Sequence, residues 1–309
     1  MMKYGHAPHF DKPIARIVMG VIPLPQDDLP RAFELLDTYR AHGGNIIDNS
    51  YNYGEGFAKV MRAYYEKHGQ DVLIRFDKGN HHKYGAEDWN QVTKEITDKH
   101  VRGNLERQGV EYSDFYAFHR DNPEVPIGEI VEWMNEHLAA GRIKAYGGSN
   151  WTAERIAAGN EYAEKHGLQG FSVSSPNLSL AVANEPMWTG AYQASAEDRA
   201  WYAENPIAVF SWSSGGGGFF ARLDDNADIQ RVYHNDTNFA RRDRVAKMAA
   251  EKGVSETQLA LAWTLNQPVN VFGLIGPRTP EQVVDNIQAI AIELTPAELA
   301  HLEHGTPLE

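Results

Sequence analysis

The sequence predicts an α/β fold, specifically a closed (β/α)8 TIM barrel, and three observations lead to it. Eight short apolar runs of strand character alternate with longer segments of helical period along the chain. Side chains with useful chemistry follow several of these runs, and catalytic groups of such barrels lie at the carboxyl ends of the strands. No change of composition marks a linker, so we expect one barrel domain over residues 1–309. A doubly wound open sheet is the main rival fold.

The expected elements follow one another in a regular order. The strands are expected at residues 17–20, 45–48, 72–76, 115–119, 145–149, 171–173, 207–211 and 271–275. Amphipathic stretches between them space apolar residues three or four apart, as in a helix that buries one face. Such helices are expected at residues 29–42, 89–108, 127–140 and 153–166. The first of them is followed by two glycines, a common way for a helix to end.

Composition and charge exclude several classes of function. The formal net charge of -13, without any run of Lys and Arg, argues against binding to nucleic acid. The chain has no cysteine, which excludes disulfides, thiolate metal sites and cysteine nucleophiles. No segment approaches the roughly 20 apolar residues of a membrane span, and the amino end lacks the apolar core of a secretory signal. We expect a cytoplasmic protein with no membrane partner; its oligomeric state stays open.

Four polar side chains fall at or just beyond the ends of consecutive expected strands. Asp48 ends the second strand and Tyr53 follows it, Lys78 comes after the third, and His119 closes the fourth. On a closed barrel these strand ends converge on one mouth. An ammonium beside a phenol stabilises the phenolate and lowers a pKa that is ordinarily ~10, while a carboxylate keeps the ammonium charged. The group can therefore move a proton to or from a carbonyl or alcohol oxygen, and a nicotinamide cofactor is the natural source of the hydride that a reduction also needs.

Five motifs in this chain resemble those of the aldo-keto reductase family, in the same order and over nearly the whole length. They are Gly44 to Asp48 with Tyr53-Gly54, then Lys78, His119, Gly148-Ser149-Asn150-Trp151, and Gly276-Pro277-Arg278 through Asn286. The resemblance implies a (β/α)8 barrel that binds NAD(P)H in an extended form without a Rossmann fold. It also implies that Tyr53 is the general acid/base, supported by the other three polar residues.

The resemblance further implies how the nicotinamide end of the cofactor is held. Ser149 and Asn150 correspond to ligands of the carboxamide, and Phe210 corresponds to an aromatic residue that stacks on the nicotinamide ring. Ser175 stands where several family members place a glutamine against the carboxamide. A shorter hydroxyl could still bond this amide, directly or through water.

A glycine-rich run at residues 210–220 follows the seventh expected strand. Backbone amides of such a loop can approach a pyrophosphate closely and donate hydrogen bonds to it. Glycine runs alone are weak evidence for a ligand site, so the alternative is a surface loop that binds nothing. In the family this loop covers the pyrophosphate, and the residues expected at the cofactor are Ser211, Ser213, Gly215 and Gly216.

The last expected strand leads to a candidate phosphate site. Thr279 is expected to cap a helix that begins at Pro280, and an arginine beside a helix N-terminus suits a phosphate. By resemblance, Arg278 faces the adenosine 2'-phosphate, with Gln282 and Asn286 near the adenine ribose and base. The alternative is an arginine that is merely solvated.

The expected cofactor is therefore NADPH, with NADH possible. The lysine that the family usually carries at the position of Gly276 is absent here. Arg278 consequently carries most of the expected preference for NADPH.

The substrate is expected to be a small carbonyl or sugar-like molecule. Trp151, Trp212 and Tyr51 are expected to border the mouth as flat apolar walls, with His82 and Arg120 as polar groups. Such a pocket suits a hydroxylated carbonyl about as well as an aromatic aldehyde. The polar stretch at residues 223–238 is the candidate lid.

Two other functions are weighed against the reductase. One is a cofactor-binding regulatory or redox-sensing barrel with little turnover, which the complete set of four polar residues disfavours. The other is a metal-dependent hydrolase or isomerase that uses His81, His82 and His119. Because no HxH or HxxE spacing supports zinc binding, we predict no metal.

Overall fold

The computed structural model describes residues 1–81 and 91–308. Eight parallel strands close into a barrel in the order β10-β3-β4-β5-β6-β7-β8-β9. Their bounds are β3 (Ile17–Gly20), β4 (Ile46–Ser50), β5 (Ile74–Gly79), β6 (Ser113–Phe118), β7 (Ile143–Ser149), β8 (Val173–Ser175), β9 (Ala208–Ser211) and β10 (Val271–Ile275). The predicted (β/α)8 barrel is confirmed. The open sheet is wrong, because β10 pairs with both β3 and β9 and leaves no sheet edge.

Helices surround the barrel and follow the predicted rhythm. Their bounds are α1 (Leu29–Ala41), α2 (Glu55–His68), α3 (Lys94–Gln108), α4 (Ile127–Ala139), α5 (Ala153–His166), α6 (Ala196–Glu204), α7 (Ala227–Tyr233), α8 (Asp236–Lys252), α9 (Glu256–Leu265), α10 (Pro280–Gln288) and α11 (Pro296–His304). The helix predicted from residue 89 begins later, at Lys94, because Thr93 caps it by accepting a hydrogen bond from the Ile96 amide. The predicted Thr279 cap of α10 is confirmed, with Pro280 in the first turn.

An antiparallel hairpin that the sequence analysis did not predict precedes the barrel. It consists of β1 (Tyr4–Ala7) and β2 (Phe10–Ala15). The Phe10 ring packs on Phe115 of β6 with centroids 4.5 Å apart, so the hairpin covers one end of the barrel. Its turn includes His9 at a φ of 60°.

Aromatic side chains fill the interior of the barrel. Phe210 of β9 is fully buried and meets Phe76, Phe115 and Phe272 edge to face, with centroids 4.9, 5.7 and 5.1 Å apart. This geometry is the one that aromatic pairs favour. The barrel interior is therefore a packed core and leaves no room for a ligand inside it. In the described parts of the chain, no helix combines the length and apolar character that a membrane crossing requires.

Candidate active site

The four polar residues predicted to act together are neighbours in the structure. Asp48 lies on β4 and Lys78 on the adjacent β5, and Tyr53 lies in the short 3₁₀ turn that follows β4. Lys78 Nζ donates a hydrogen bond of 2.5 Å to Asp48 Oδ2 and lies 5.7 Å from the centroid of the Tyr53 ring. The Tyr53 ring meets His119 edge to face at 5.6 Å. A phenol, an ammonium, a carboxylate and an imidazole thus share one end of the barrel.

Burial sets the electrostatics of this cluster. Asp48 and Lys78 are 3% and 2% exposed. Burial raises the pKa of the Asp48 carboxyl, and the Lys78 ammonium offsets part of this rise. Each charge is costly without the other, since removing one partner would leave the remaining charge buried alone. The pair therefore holds the ammonium in place beside the phenol.

Ser50 belongs to this site, although the sequence analysis did not single it out. Its Oγ lies 3.1 Å from Nδ1 of His119 and accepts a hydrogen bond from the Asn52 amide. The hydroxyl hydrogen can therefore point at Nδ1, which leaves the hydrogen of a neutral imidazole on Nε2. The only available signal was spacing, because Ser50 lies two residues beyond Asp48 on the same strand.

Tyr51 does not border the mouth as predicted. Its ring stacks on His100 of α3 at 4.2 Å, and the guanidinium of Arg107 lies 3.7 Å from its centroid. Burial lowers the pKa of His100 to about 4, so this imidazole is neutral and its Nδ1 accepts a hydrogen bond from the Asn80 amide. The Tyr51 ring therefore packs the turn after β4 against α3. The sequence pattern alone could not show whether this ring faces α3 or the pocket.

Trp151 is also absent from the mouth. Its indole is 1% exposed and packs on Phe118 and Phe171 with centroids 5.6 and 5.3 Å apart. A Cβ on Gly148 would lie 2.6 Å from this ring, so the glycine allows the ring to pack there. The expectation that Trp151 forms a pocket wall is therefore wrong.

The guanidinium of Arg120 holds a loop rather than pointing at a substrate. It is 3% exposed, and its Nε donates to the Thr189 carbonyl at 2.8 Å while Nη1 donates to the His119 carbonyl at 2.7 Å. Arg120 thereby fastens the loop after β8 to the end of β6. His82 lies outside the described residues.

Asn150 is a junction of four hydrogen bonds at the end of β7. It adopts a left-handed conformation with φ of 64°, which asparagine tolerates better than most residues. Its Nδ2 donates to the His119 carbonyl and to Ser149 Oγ, and its Oδ1 accepts from Trp212 Nε1 and the Tyr192 amide. An amide has two donors and two acceptor positions, so the protein itself uses all of them. Asn150 could reach a cofactor only by exchanging one of these bonds.

Two serines beside Asn150 retain hydrogen-bonding capacity. Ser149 Oγ donates to the Ser175 carbonyl at 3.0 Å and keeps an acceptor position. The Ser175 hydroxyl is buried, and among residues 1–81 and 91–308 nothing hydrogen-bonds it. A buried hydroxyl without a partner costs free energy, which a ligand amide would recover.

The chain after β9 places Trp212, and not Phe210, toward the other site residues. Phe210 is fully buried in the core, so neither face of its ring is open to a nicotinamide. Trp212 is partly exposed and donates through Nε1 to Asn150 at 3.0 Å. Ser211 is also used internally, since its Oγ donates to the Leu178 carbonyl at 2.6 Å. The stacking role predicted for Phe210 does not fit this packing.

The glycine-rich loop that follows can expose its backbone to a ligand. Gly216, Gly217 and Gly218 have φ values of 76°, 61° and 103°, which side chains would strain. A Cβ on Gly215 would meet nothing within 4 Å. This turn begins at Ser213, which has a φ of 50°. The Gly216 amide donates a hydrogen bond to the Ser213 carbonyl. Gly216 and Gly218 pack close to Phe220 and Leu223, so Gly215 and the exposed Gly217 are the positions at which a ligand group could approach the backbone.

The start of α10 offers an arginine without a fixed partner. Arg278 is exposed, and within the described chain no hydrogen bond or ion pair holds its guanidinium. Its backbone amide donates to Gln282 Oε1 at 2.7 Å, and Asn286 donates to the Gln282 carbonyl. Gly276, just before, is exposed beside Pro23. The guanidinium can therefore turn to an anion at this helix N-terminus.

The described residues do not group three His, Asp or Glu side chains as metal ligands. Among residues 1–81 and 91–308, the Ser175 hydroxyl and the Arg278 guanidinium have no hydrogen-bond partner, and Gly215 has open space beside it, so these three positions are free to contact a ligand. They follow the carboxyl ends of β8, β9 and β10, and Tyr53 follows the carboxyl end of β4 in the same barrel. The site is that of a barrel oxidoreductase.

Comparison with known proteins agrees with this class. A model of the Aldo/keto reductase family matches residues 16–304, so the chain belongs to this family. A solved structure of the thermostable aldo-keto reductase Tm1743 with the inhibitor epalrestat has a TM-score of 0.74 at 18% identity, covering 98% of this chain and 99% of that one.

Curated relatives include enzymes and a channel subunit. The uncharacterized oxidoreductase YrpG of Bacillus subtilis is 24% identical over 95% of this chain and 92% of its own. The probable aryl-alcohol dehydrogenase AAD4 of Saccharomyces cerevisiae is 26% identical over 90% and 88%. A probable voltage-gated potassium channel subunit beta of Oryza sativa subsp. japonica is 28% identical, also over 90% and 88%.

Proposed function

We propose that this protein reduces an aldehyde or ketone to an alcohol with NADPH, or catalyses the reverse reaction, and that Tyr53 is the general acid/base. The observation that carries the proposal is the placement of Lys78. Its buried ammonium is fixed by Asp48 and lies 5.7 Å from the Tyr53 ring centroid. Family membership and oxidoreductase relatives support carbonyl reduction as the reaction class.

The Tyr53 phenol would give its proton to the carbonyl oxygen as that oxygen gains negative charge. A free phenol with a pKa of ~10 is a poor donor at neutral pH, and a nearby ammonium makes phenolate formation easier. Asp48 directs the Lys78 amino group, since the two side chains form a buried hydrogen-bonded pair. A positioned acid of this kind contributes about 10²–10⁴ in rate.

His119 would orient the substrate. With Ser50 at Nδ1, the hydrogen on Nε2 can be donated to the same carbonyl oxygen that receives the Tyr53 proton. This bond strengthens as the oxygen becomes negative, so it stabilises the transition state more than the ground state. The edge-to-face contact of the Tyr53 and His119 rings, with centroids 5.6 Å apart, supports a shared substrate oxygen for the two donors.

The bound NADPH would supply the hydride. Ser149 and Ser175 would hold its carboxamide, with Asn150 orienting Ser149. The loop backbone at Gly215 and Gly217 would face the pyrophosphate, and Arg278 the 2'-phosphate. No side chain of the protein can donate a hydride, so the cofactor must supply it.

A regulatory barrel with little turnover is not favoured. This alternative is considered because one of the relatives is a probable potassium channel subunit. Binding a dinucleotide alone would not need Tyr53, Lys78, Asp48 and His119 in contact, with two charges buried to achieve it.

A fluorescence titration tests the proposed cofactor site. Trp212 is partly exposed at Asn150, whereas Trp133 of α4 is partly exposed elsewhere on the barrel. We expect NADPH to quench tryptophan emission, and Trp212→Phe to remove most of the quenching while Trp133→Phe preserves it. Absence of quenching at saturating NADPH would count against the site.

A further inference from the structure

We propose that His81 is a positioning residue of this site, whose buried ring holds the His119 imidazole in the orientation from which Nε2 can reach the carbonyl oxygen. The inference rests on the proposed function, because it assigns a further residue to the same reaction. His81 lies three residues beyond Lys78, after the end of β5. The sequence analysis considered it only as a metal ligand.

The rings of His81 and His119 are in direct contact. Their centroids lie 4.6 Å apart, and their planes are inclined by 71°, so one ring meets the other edge to face. The two residues are 4% and 8% exposed. Because close packing leaves a buried side chain few alternative rotamers, the His81 ring restricts how far the His119 imidazole can turn.

Three contacts of the His119 ring have different roles. Ser50 Oγ lies 3.1 Å from Nδ1 and can donate its hydrogen there, which sets the tautomer. Tyr53, with ring centroids 5.6 Å apart, is the proposed proton donor. The His81 ring takes no part in the proposed proton transfer. Substitution of His81 therefore tests the orientation of His119 separately from the chemistry.

The backbone of His81 also contacts the turn that carries the proton donor. Asn52 Nδ2 donates a hydrogen bond of 3.2 Å to the His81 carbonyl. Asn52 directly precedes Tyr53 in the 3₁₀ turn after β4. One residue thus contacts both the His119 ring and the segment that holds Tyr53.

Asn80 fixes the backbone from which the His81 ring extends. It is fully buried and has a left-handed φ of 60°, which asparagine tolerates better than most residues. Its Nδ2 donates to Thr97 Oγ1 and to the Gln91 carbonyl, both at 2.9 Å, and its Oδ1 accepts from the Tyr116 hydroxyl at 2.8 Å. These bonds join the end of β5 to α3 and β6, so the ring is held before any substrate binds.

The kinetic test compares wild type, His81→Ala and His81→Phe in the reduction of benzaldehyde with NADPH. We expect His81→Ala to lower kcat by about tenfold, because an imidazole that can turn away stabilises the transition state less well. KM for NADPH should stay near that of wild type. His81→Phe should recover most of the lost kcat, since a phenyl ring can make the same edge-to-face contact.

His137→Ala is the matched control for the loss of a buried imidazole. His137 lies on α4, is fully buried and accepts a hydrogen bond of 2.8 Å from Arg142 Nε. Its removal should lower the unfolding temperature but leave kcat unchanged. Equal losses of kcat in His137→Ala and His81→Ala, or a loss that His81→Phe does not recover, would overturn the proposal.

NMR of protein with ¹⁵N-labelled histidine tests the proposal without turnover. At pH 8, above the ordinary histidine pKa of ~6.5, the His119 nitrogens should show a neutral ring with its hydrogen on Nε2. Their signals can be assigned through His119→Gln. We expect the Nδ1 and Nε2 shifts to move toward each other in His81→Ala, because a ring that leaves Ser50 exchanges between tautomers, and to return in His81→Phe.

The same spectra separate this proposal from the proposed function. If wild type reduces no aldehyde but the His119 shifts respond as expected, the positioning role of His81 stands and the reductase does not. If the His119 shifts in His81→Ala equal those of wild type, the positioning role is refuted whatever the turnover.

Discussion

Replacement of Tyr53 by phenylalanine is expected to lower kcat by about 10²–10⁴, the usual contribution of a positioned general acid. The ring contacts with His119 and Lys78 involve the ring itself, so phenylalanine should preserve them. NADPH should bind to Tyr53→Phe as tightly as to wild type. Initial rates at saturating NADPH, with affinity measured by fluorescence, check both parts.

Tyr51→Phe is the matched control for this experiment. It removes a hydroxyl from the same 3₁₀ turn, but the Tyr51 ring is held between His100 and Arg107. Turnover should remain near that of wild type. If Tyr53→Phe also retains full turnover, Tyr53 is not the proton donor and another group must be sought.

The second large effect is expected at Arg278. We expect Arg278→Ala to weaken NADPH binding by about 10- to 100-fold, the range for losing a hydrogen bond between charged groups. NADH lacks the 2'-phosphate, so its dissociation constant should change little. Titration of wild type and variant with both dinucleotides measures the difference, which should shrink as salt is added because the arginine is exposed.

Arg62→Ala controls for the loss of one positive charge. Arg62 is exposed on α2 and pairs with Glu66 at 3.1 Å, within one helix. Arg62→Ala should leave the affinities for NADPH and NADH unchanged. Equal weakening of NADPH and NADH by Arg278→Ala would refute the assignment of Arg278 to the 2'-phosphate.

Much of the fold could be predicted because barrel strands are buried on both faces and appear as short apolar runs. All eight predicted runs overlap a barrel strand; residues 17–20 and 271–275 match β3 and β10 fully, whereas β8 (Val173–Ser175) shares one residue with the run predicted at 171–173. The hairpin of β1 and β2 was missed for the opposite reason. Its second strand contains Asp11, Lys12 and Pro13, all exposed, so the segment lacks an apolar run.

The clustering of Asp48, Lys78, Tyr53 and His119 could be predicted because barrel topology brings the carboxyl ends of the strands together. Once the strands were correctly predicted, their order in the barrel placed Asp48, Lys78 and His119 side by side. The apolar side chains that border the barrel mouth were less predictable, because neighbouring residues in a turn can point in opposite directions. Tyr51 faces α3 and Trp151 is buried, while Trp188 in an irregular loop reaches Trp212.

The most direct test of the central claim uses NADPH that carries deuterium at the transferred position of the nicotinamide ring. Incubation with an aldehyde and the purified protein should give an alcohol with one deuterium on the former carbonyl carbon, observed by NMR. The label should appear with wild type and be strongly reduced with Tyr53→Phe. An alcohol without deuterium, or consumption of NADPH without any alcohol, would contradict the account.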